Sequence, residues 1–172
     1  MPTVRAALLE ILGALGALKQ RFALVSGLAV SARTERRTTC DVDIAVAAAD
    51  DVGAEALIFA LQQRGYSVVT VIEQQVLCRL ATERLLPPGG GSAGALVDLL
   101  FASTGIAPEM VAAAEPLEVV RHVHAPVATT DHLLAMKVLA RDDSAHGIGA
   151  RSYSSSQQRK PEKRRAVRRS TA

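Results

Sequence analysis

Aromatic residues are nearly absent from this 172-residue chain: three Phe, two Tyr and no Trp. A core cannot then rest on large rings, and must be built from Ala, Leu and Val, which the 49% hydrophobic content supplies amply. Cysteine is just as sparse. The two present, Cys40 and Cys78, make no disulfide framework and no metal-binding spacing, which suits a reducing cytosol. Cys40 reads as a packed or inert thiol. No uninterrupted apolar segment approaches the ~20 residues of a membrane helix. The N-terminus lacks a basic region followed by a long apolar stretch, so no signal peptide is expected. These absences leave a cytoplasmic protein with no membrane partner, long enough to enclose one real core.

Charge is divided unevenly along the chain. Residues 1–143 carry twelve Lys or Arg against sixteen Asp or Glu, whereas residues 144–172 carry eight against one. The overall +3 therefore comes from the tail. That tail has almost no large apolar residues and no amphipathic period, so its composition cannot bury enough surface to fold alone. The expected organisation is a folded domain over 1–143 and a basic, disordered tail over 144–172. The tail is either an arm for RNA phosphates or a terminus without a task.

Within the folded part, Val4, Leu8, Ile11, Leu12, Leu15 and Leu18 recur at helical spacing. A strand is expected at 22–25, a short helix near 28–33 and a second strand at 41–47. Asp50 or Asp51 can cap a helix carrying Leu57, Ile58 and Leu61, which Gly65 ends. Tyr66 to Ile72 and Val76 to Leu80 read as strands. Pro87 to Ser92 is a hairpin-like connection to a strand at Leu96–Phe101, and Pro108 to Ala114 is a short helix. Val119 to Val123 reads as an edge strand before a last helix at about 130–141. No internal repeat is evident. The class is α/β (α+β), a small mixed sheet flanked by helices.

Carboxylates on apolar strands carry the chemistry. In Asp41-Val42-Asp43-Ile44, period-two alternation sends the acids to one side and Val42 and Ile44 to the other. Two such acids repel each other and are costly to desolvate unless a cation lies between them; a hard ion such as Mg²⁺ suits them and also takes phosphate oxygens. Asp98, in the middle of Leu96-Val97-Asp98-Leu99-Leu100-Phe101, can join them if its strand lies beside theirs. No basic residue is expected at a matching position. The alternative for all three is an acid facing water at a sheet edge.

Upstream, Phe22 to Val30 reads as strand, Ser26-Gly27 turn and helix. Gly27 allows close approach of a ligand, and the first amides of the helix favour an anion. Arg33, Arg36 and Arg37 follow in a basic loop. Lys137 lies among Leu133, Leu134, Met136, Val138 and Leu139 on the last helix. It either snorkels to water or offers a compact positive charge to a site. His122, His124 and His132 are scattered and receive no ligand role. Asp131 reads as a helix-start residue facing the dipole.

Ser-Gly-Leu-Ala-Val, then Arg37 to Val46, then Leu133-Leu134-Ala135-Met136-Lys137-Val138-Leu139-Ala140 resemble the AbiEii/AbiGii nucleotidyltransferase toxins, of the DNA polymerase β-like nucleotidyltransferase superfamily. The resemblance spans roughly residues 4–143. It implies a minimal nucleotidyltransferase fold and transfer of an NMP from an NTP to an acceptor hydroxyl. It also implies a tRNA 3′ end as acceptor and a cognate antitoxin as partner. Asp41, Asp43 and Asp98 would then hold two Mg²⁺ ions, with Asp98 also activating the hydroxyl. Ser26, Gly27, Arg33 and Arg37 would hold the nucleotide, and Lys137 would add positive charge. Ser26 departs mildly from the family's frequent Gly-Gly. The family also continues past the Lys helix with more helices and another acidic motif, so residues 144–172 suggest a truncated or frameshifted form with weak turnover and an exposed apolar helix face. The rival readings are a small-molecule nucleotidyltransferase of the antibiotic-modifying kind, and a non-catalytic remnant that only binds.

Overall fold

The computed structural model describes residues 3–34, 38–74, 79–90, 94–101, 106–144 and 150–152. Helix α1 (Val4–Ala17) starts where the Thr3 hydroxyl accepts a hydrogen bond from the Ala6 amide. Its residues Ala7, Leu8, Ile11 and Leu15 are fully buried, as the helical spacing requires. Strand β1 (Phe22–Leu24) follows, then α2 (Ser26–Arg33), β2 (Val42–Val46) and α3 (Asp51–Gln62). Asp50 caps α3 by accepting from the Gly53 amide at 2.8 Å. Beyond α3, Gly65 takes a left-handed conformation (φ 90°) that reverses the chain. Next come β3 (Ser67–Gln74), β4 (Arg79–Leu86), β5 (Val97–Phe101) and α4 (Ile106–Ala112). The chain continues through β6 (Glu115–Val120), β7 (Val123–Val127), α5 (Thr130–Ser144) and β8 (Ala150–Ser152).

Among the described residues these strands form one mixed sheet of eight in the order β6-β7-β1-β2-β5-β4-β3-β8. The class is as expected, but the sheet is larger. Two margins account for the difference. Where a single edge strand was expected at Val119–Val123, the chain instead turns through Arg121 and His122, and β6 and β7 pair antiparallel on either side. His122 is left-handed at the turn (φ 62°), and its amide donates to Glu118 Oε1 at 2.6 Å. Pro116 and Pro126, paired across this hairpin, hide both strands from a propensity reading. At the other margin Ala150–Ser152 lies antiparallel on β3, inside the stretch expected to be disordered. Residues 145–149 and 153–172 of that stretch lie outside the described residues, as do 76–78 of the strand expected at 76–80; β4 begins at Arg79.

The sheet separates two apolar clusters. Val42, Ile44 and Val46 of β2 and Val97, Leu99 and Phe101 of β5 point to the larger one, with the buried faces of α1 and α3. Ala23, Val25 and Ala45 point the other way, toward Met110 and Val111 of α4, with Leu133 and Met136 of α5 packed on them. Alternation therefore puts Asp43 and Asp98 on the α4/α5 side. The outer face of α5 is uncovered among the described residues, as expected: Leu134, Val138 and Leu139 are 59%, 62% and 45% exposed.

Arg33, at the end of α2, ties this frame together. Its Nε donates to the Ala128 carbonyl at 2.6 Å, and Nη2 donates to Glu115 Oε2 at 2.8 Å and to the Val127 carbonyl at 3.2 Å. Arg33→Met should keep most of the stem's packing and lose this fork, lowering unfolding free energy by about 1 kcal/mol. Urea denaturation of the purified variant measures it.

Candidate active site

Three neighbouring strands align the charged groups in one row. In the parallel β2–β5 pair, Asp43 is the register partner of Asp98, and in the antiparallel β4–β5 pair Asp98 is the partner of Arg84. Asp41, just before β2, stands two residues ahead of Asp43. Asp43 and Asp98 thus stand side by side with Asp41 close by in sequence, but one expectation fails. A basic residue does occupy a matching position: Arg84 Nε donates to Asp98 Oδ1 at 2.8 Å and Nη2 to Oδ2 at 2.6 Å. Asp98 is 7% exposed, whereas the Arg84 side chain is 42% exposed.

The electrostatics follow from this crowding. Asp43 is pushed up to about 6, first by burial, then by the negative charges of Asp98 and Asp41, with Arg84 pulling the other way. Neither the Asp41 nor the Asp43 carboxylate has a hydrogen-bond or ion-pair partner among the described residues. The donor set is chemically right for a hard cation: carboxylate oxygens, held on adjacent strands and short of positive charge. As they stand, no three His, Cys, Asp or Glu side chains among the described residues are drawn together closely enough to hold a metal ion.

The Ser-Gly turn is bound to the same place by backbone contacts. Val25 N–H donates to the Asp43 carbonyl at 3.0 Å, so the chain enters α2 directly beside the acids. Ser26 is exposed and left-handed (φ 53°), a conformation costly for a residue with a Cβ. At Gly27 an added Cβ would lie 2.8 Å from Thr39 Oγ1 and 3.0 Å from Thr39 Cβ. Thr39 Oγ1 in turn donates to the Asp41 carbonyl at 3.2 Å. Glycine is thus required so that the segment leading to Asp41 can fold against the turn. No side chain caps the start of α2, where Val25 is extended.

The remaining expected residues fall elsewhere. Arg33, expected at the nucleotide, is instead engaged with Glu115 and two carbonyls. Arg37 lies outside the described residues. Lys137 is exposed on α5 and makes no hydrogen bond or ion pair with a described residue. Cys40, expected to be packed or inert, is exposed and free. Arg84 was missed because no alternation marks its strand. Its partner's register is the only signal, and register is not written in the sequence.

The backbone aligns with that of ANT(2")-Ia, solved in complex with adenylyl-2"-tobramycin, at a TM-score of 0.52 and 15% identity, over 80% of this chain and 75% of that one. The chain has a nucleotidyltransferase fold. The lincosamide antibiotic adenylyltransferase LnuA, solved with lincomycin bound, aligns at a TM-score of 0.48 and 16% identity, over 78% of this chain and 86% of that one. No protein-family model matches the sequence, and no curated protein matches it. The resemblance to the AbiEii/AbiGii toxins in particular finds no support among these comparisons. No helix among the described residues is long and apolar enough to cross a membrane.

Proposed function

We propose that this protein is a metal-dependent nucleotidyltransferase that moves a nucleoside monophosphate from an NTP to a hydroxyl of a small molecule. One observation carries the reading: Asp43 and Asp98 are register partners, with Asp41 two residues away, in a nucleotidyltransferase fold. The acceptor class rests on ANT(2")-Ia, whose structure holds an adenylylated small molecule. That neighbour favours a small acceptor over the tRNA 3′ end implied by the toxin resemblance, and leaves an antitoxin partner without support.

Asp41, Asp43 and Asp98 would hold Mg²⁺, which when bound supplies positive charge for the triphosphate and its leaving group. The chain's own groups do the rest. The uncapped first amides of α2, reached through Ser26 and Gly27, face phosphate oxygens. The acceptor oxygen attacks the α-phosphorus, the bond to the β-phosphate oxygen breaks, and pyrophosphate leaves. Asp98 takes the proton of the acceptor hydroxyl. Lys137, exposed on α5, would add a compact positive charge for the triphosphate.

Purified protein, Mg²⁺ and NTPs labelled at the α-phosphate, offered a panel of aminoglycosides and lincosamides or total tRNA, test this. Label transferred to a small molecule with release of pyrophosphate is the expected result. Label on tRNA alone would overturn the acceptor, and no transfer to any acceptor would overturn the enzyme.

A further inference from the structure

We propose that Arg84 occupies the place of the metal on Asp98 in the resting protein, so that metal loading must displace Arg84 from that carboxylate. The inference rests on reading Asp41, Asp43 and Asp98 as a metal site, and deepens it. Both Asp98 oxygens accept short bonds from one guanidinium, at 2.8 and 2.6 Å. A bidentate fork of this kind covers the edge of the carboxylate along which an ion would be chelated. The charge count agrees. Three carboxylates on one face need a cation, and among the described residues Arg84 is the one that reaches any of them.

The setting also distinguishes a displaceable counter-ion from a core strut. Asp98 is nearly buried, but the Arg84 side chain is 42% exposed. It can therefore swing into water, or toward an NTP phosphate that its planar fork suits, without opening the core. Leaving Asp98 uncompensated would be unfavourable unless another cation takes its place. Arrival of Mg²⁺ and departure of Arg84 are thereby linked, and the two cations compete for one carboxylate. Arg84 is a positioning residue in this scheme: it acts through Asp98, whose carboxylate it fixes until the ion arrives.

Competition has a sign that a structural strut would not produce. In Arg84→Met the carboxylates lose their resident cation, so Mn²⁺ alone, without NTP, should bind at least about tenfold more tightly than to the wild type. The metal-free variant should meanwhile melt at a lower temperature. Arg84→Lys, a point charge without the fork, should bind Mn²⁺ with intermediate affinity. Calorimetric titration, with Asp43→Asn as background, reads these affinities. Mn²⁺ binding to folded Arg84→Met that is unchanged or weaker would overturn the proposal while leaving the metal site intact. Wild type and Arg84→Met both binding no more Mn²⁺ than the background would overturn the metal site itself, and this inference with it. Where Arg84→Met does not fold, the wild type decides by NMR. The ¹⁵N resonance of Arg84 Nε should move on addition of Mg²⁺, and a resonance fixed at saturating Mg²⁺ would refute displacement.

Discussion

Asp43→Asn should abolish nucleotide transfer, by on the order of a thousandfold or more, and yet give a metal-free protein at least as stable as the wild type. The activity loss follows from removing a charge that the metal and triphosphate need. The stability gain follows from the same charge being unwelcome in the absence of the metal. Asp43 is pushed up to about 6 from 3.8, chiefly by burial and then by Asp98 and Asp41. The folded state therefore keeps a proton that the unfolded chain has already lost, and the cost of ionising it grows from about pH 4 and is complete above about pH 6. Asparagine has no such cost. Melting in EDTA at pH 7.5, alongside kcat with Mg²⁺, measures both halves.

Asp98→Asn should behave differently, and the contrast tests the site's geometry. Transfer is lost here too, but the variant also breaks the fork with Arg84, leaving a half-exposed guanidinium without its acceptor. Its metal-free form should be less stable than wild type by about 1–3 kcal/mol. Sequence alone suggests that losing any of the three acids relieves repulsion. The register of β4 on β5 overturns that for Asp98 alone. A metal-free Asp98→Asn as stable as Asp43→Asn would show the Arg84 pair to be energetically idle.

These contrasts show where the sequence was legible. Elements with a strong period were read well: α1 from its Leu and Ile spacing, α3 from its Asp50 cap and Gly65 stop, β2 and β5 from apolar runs broken by single acids. Asp41 and Asp43 could be named together because strand alternation fixes which side a residue takes, whereas Asp98 stands beside Asp43 only through the pairing of β5 with β2. What was illegible depended on pairing across the sheet. Arg84 and Glu83 lie in Arg79–Leu86, a strand whose Thr82-Glu83-Arg84 centre has the composition of a loop. Only contact with β3 and β5 makes it a strand, a tertiary override of propensity. The β6–β7 hairpin was lost to its two prolines in the same way. Arg33 looked like a ligand for phosphate because its partners, Glu115 and the carbonyls of Val127 and Ala128, lie more than eighty residues away.

Glu83→Gln should stabilise this protein by roughly 2–3 kcal/mol at pH 8 and by almost nothing near pH 4.5, without touching the acids of the active face. Glu83 alternates with Arg84 on β4, so it points to the opposite side, with Leu85 of the larger core. It is 5% exposed, and its carboxyl is pushed up to about 7 from 4.5, first by burial and then by the negative charge of Glu55 on α3. Raised acids destabilise when ionised. Below about pH 4.5 the group is protonated in both folded and unfolded chains and contributes no difference. Between there and about pH 7 the unfolded chain loses its proton while the folded one retains it, and stability falls with rising pH; above that the whole penalty is present. Glutamine keeps the shape and the hydrogen-bonding capacity of the neutral acid, so the variant should track wild type in acid and diverge from it in base. Urea denaturation of both proteins at pH 4.5, 6 and 8 gives the difference directly. Glu55→Gln, which removes only the lesser cause, should recover a smaller part of the same gain. A constant difference across the three pH values would mean that Glu83 is ionised and solvated in the folded protein, and that the core under α3 is open to water.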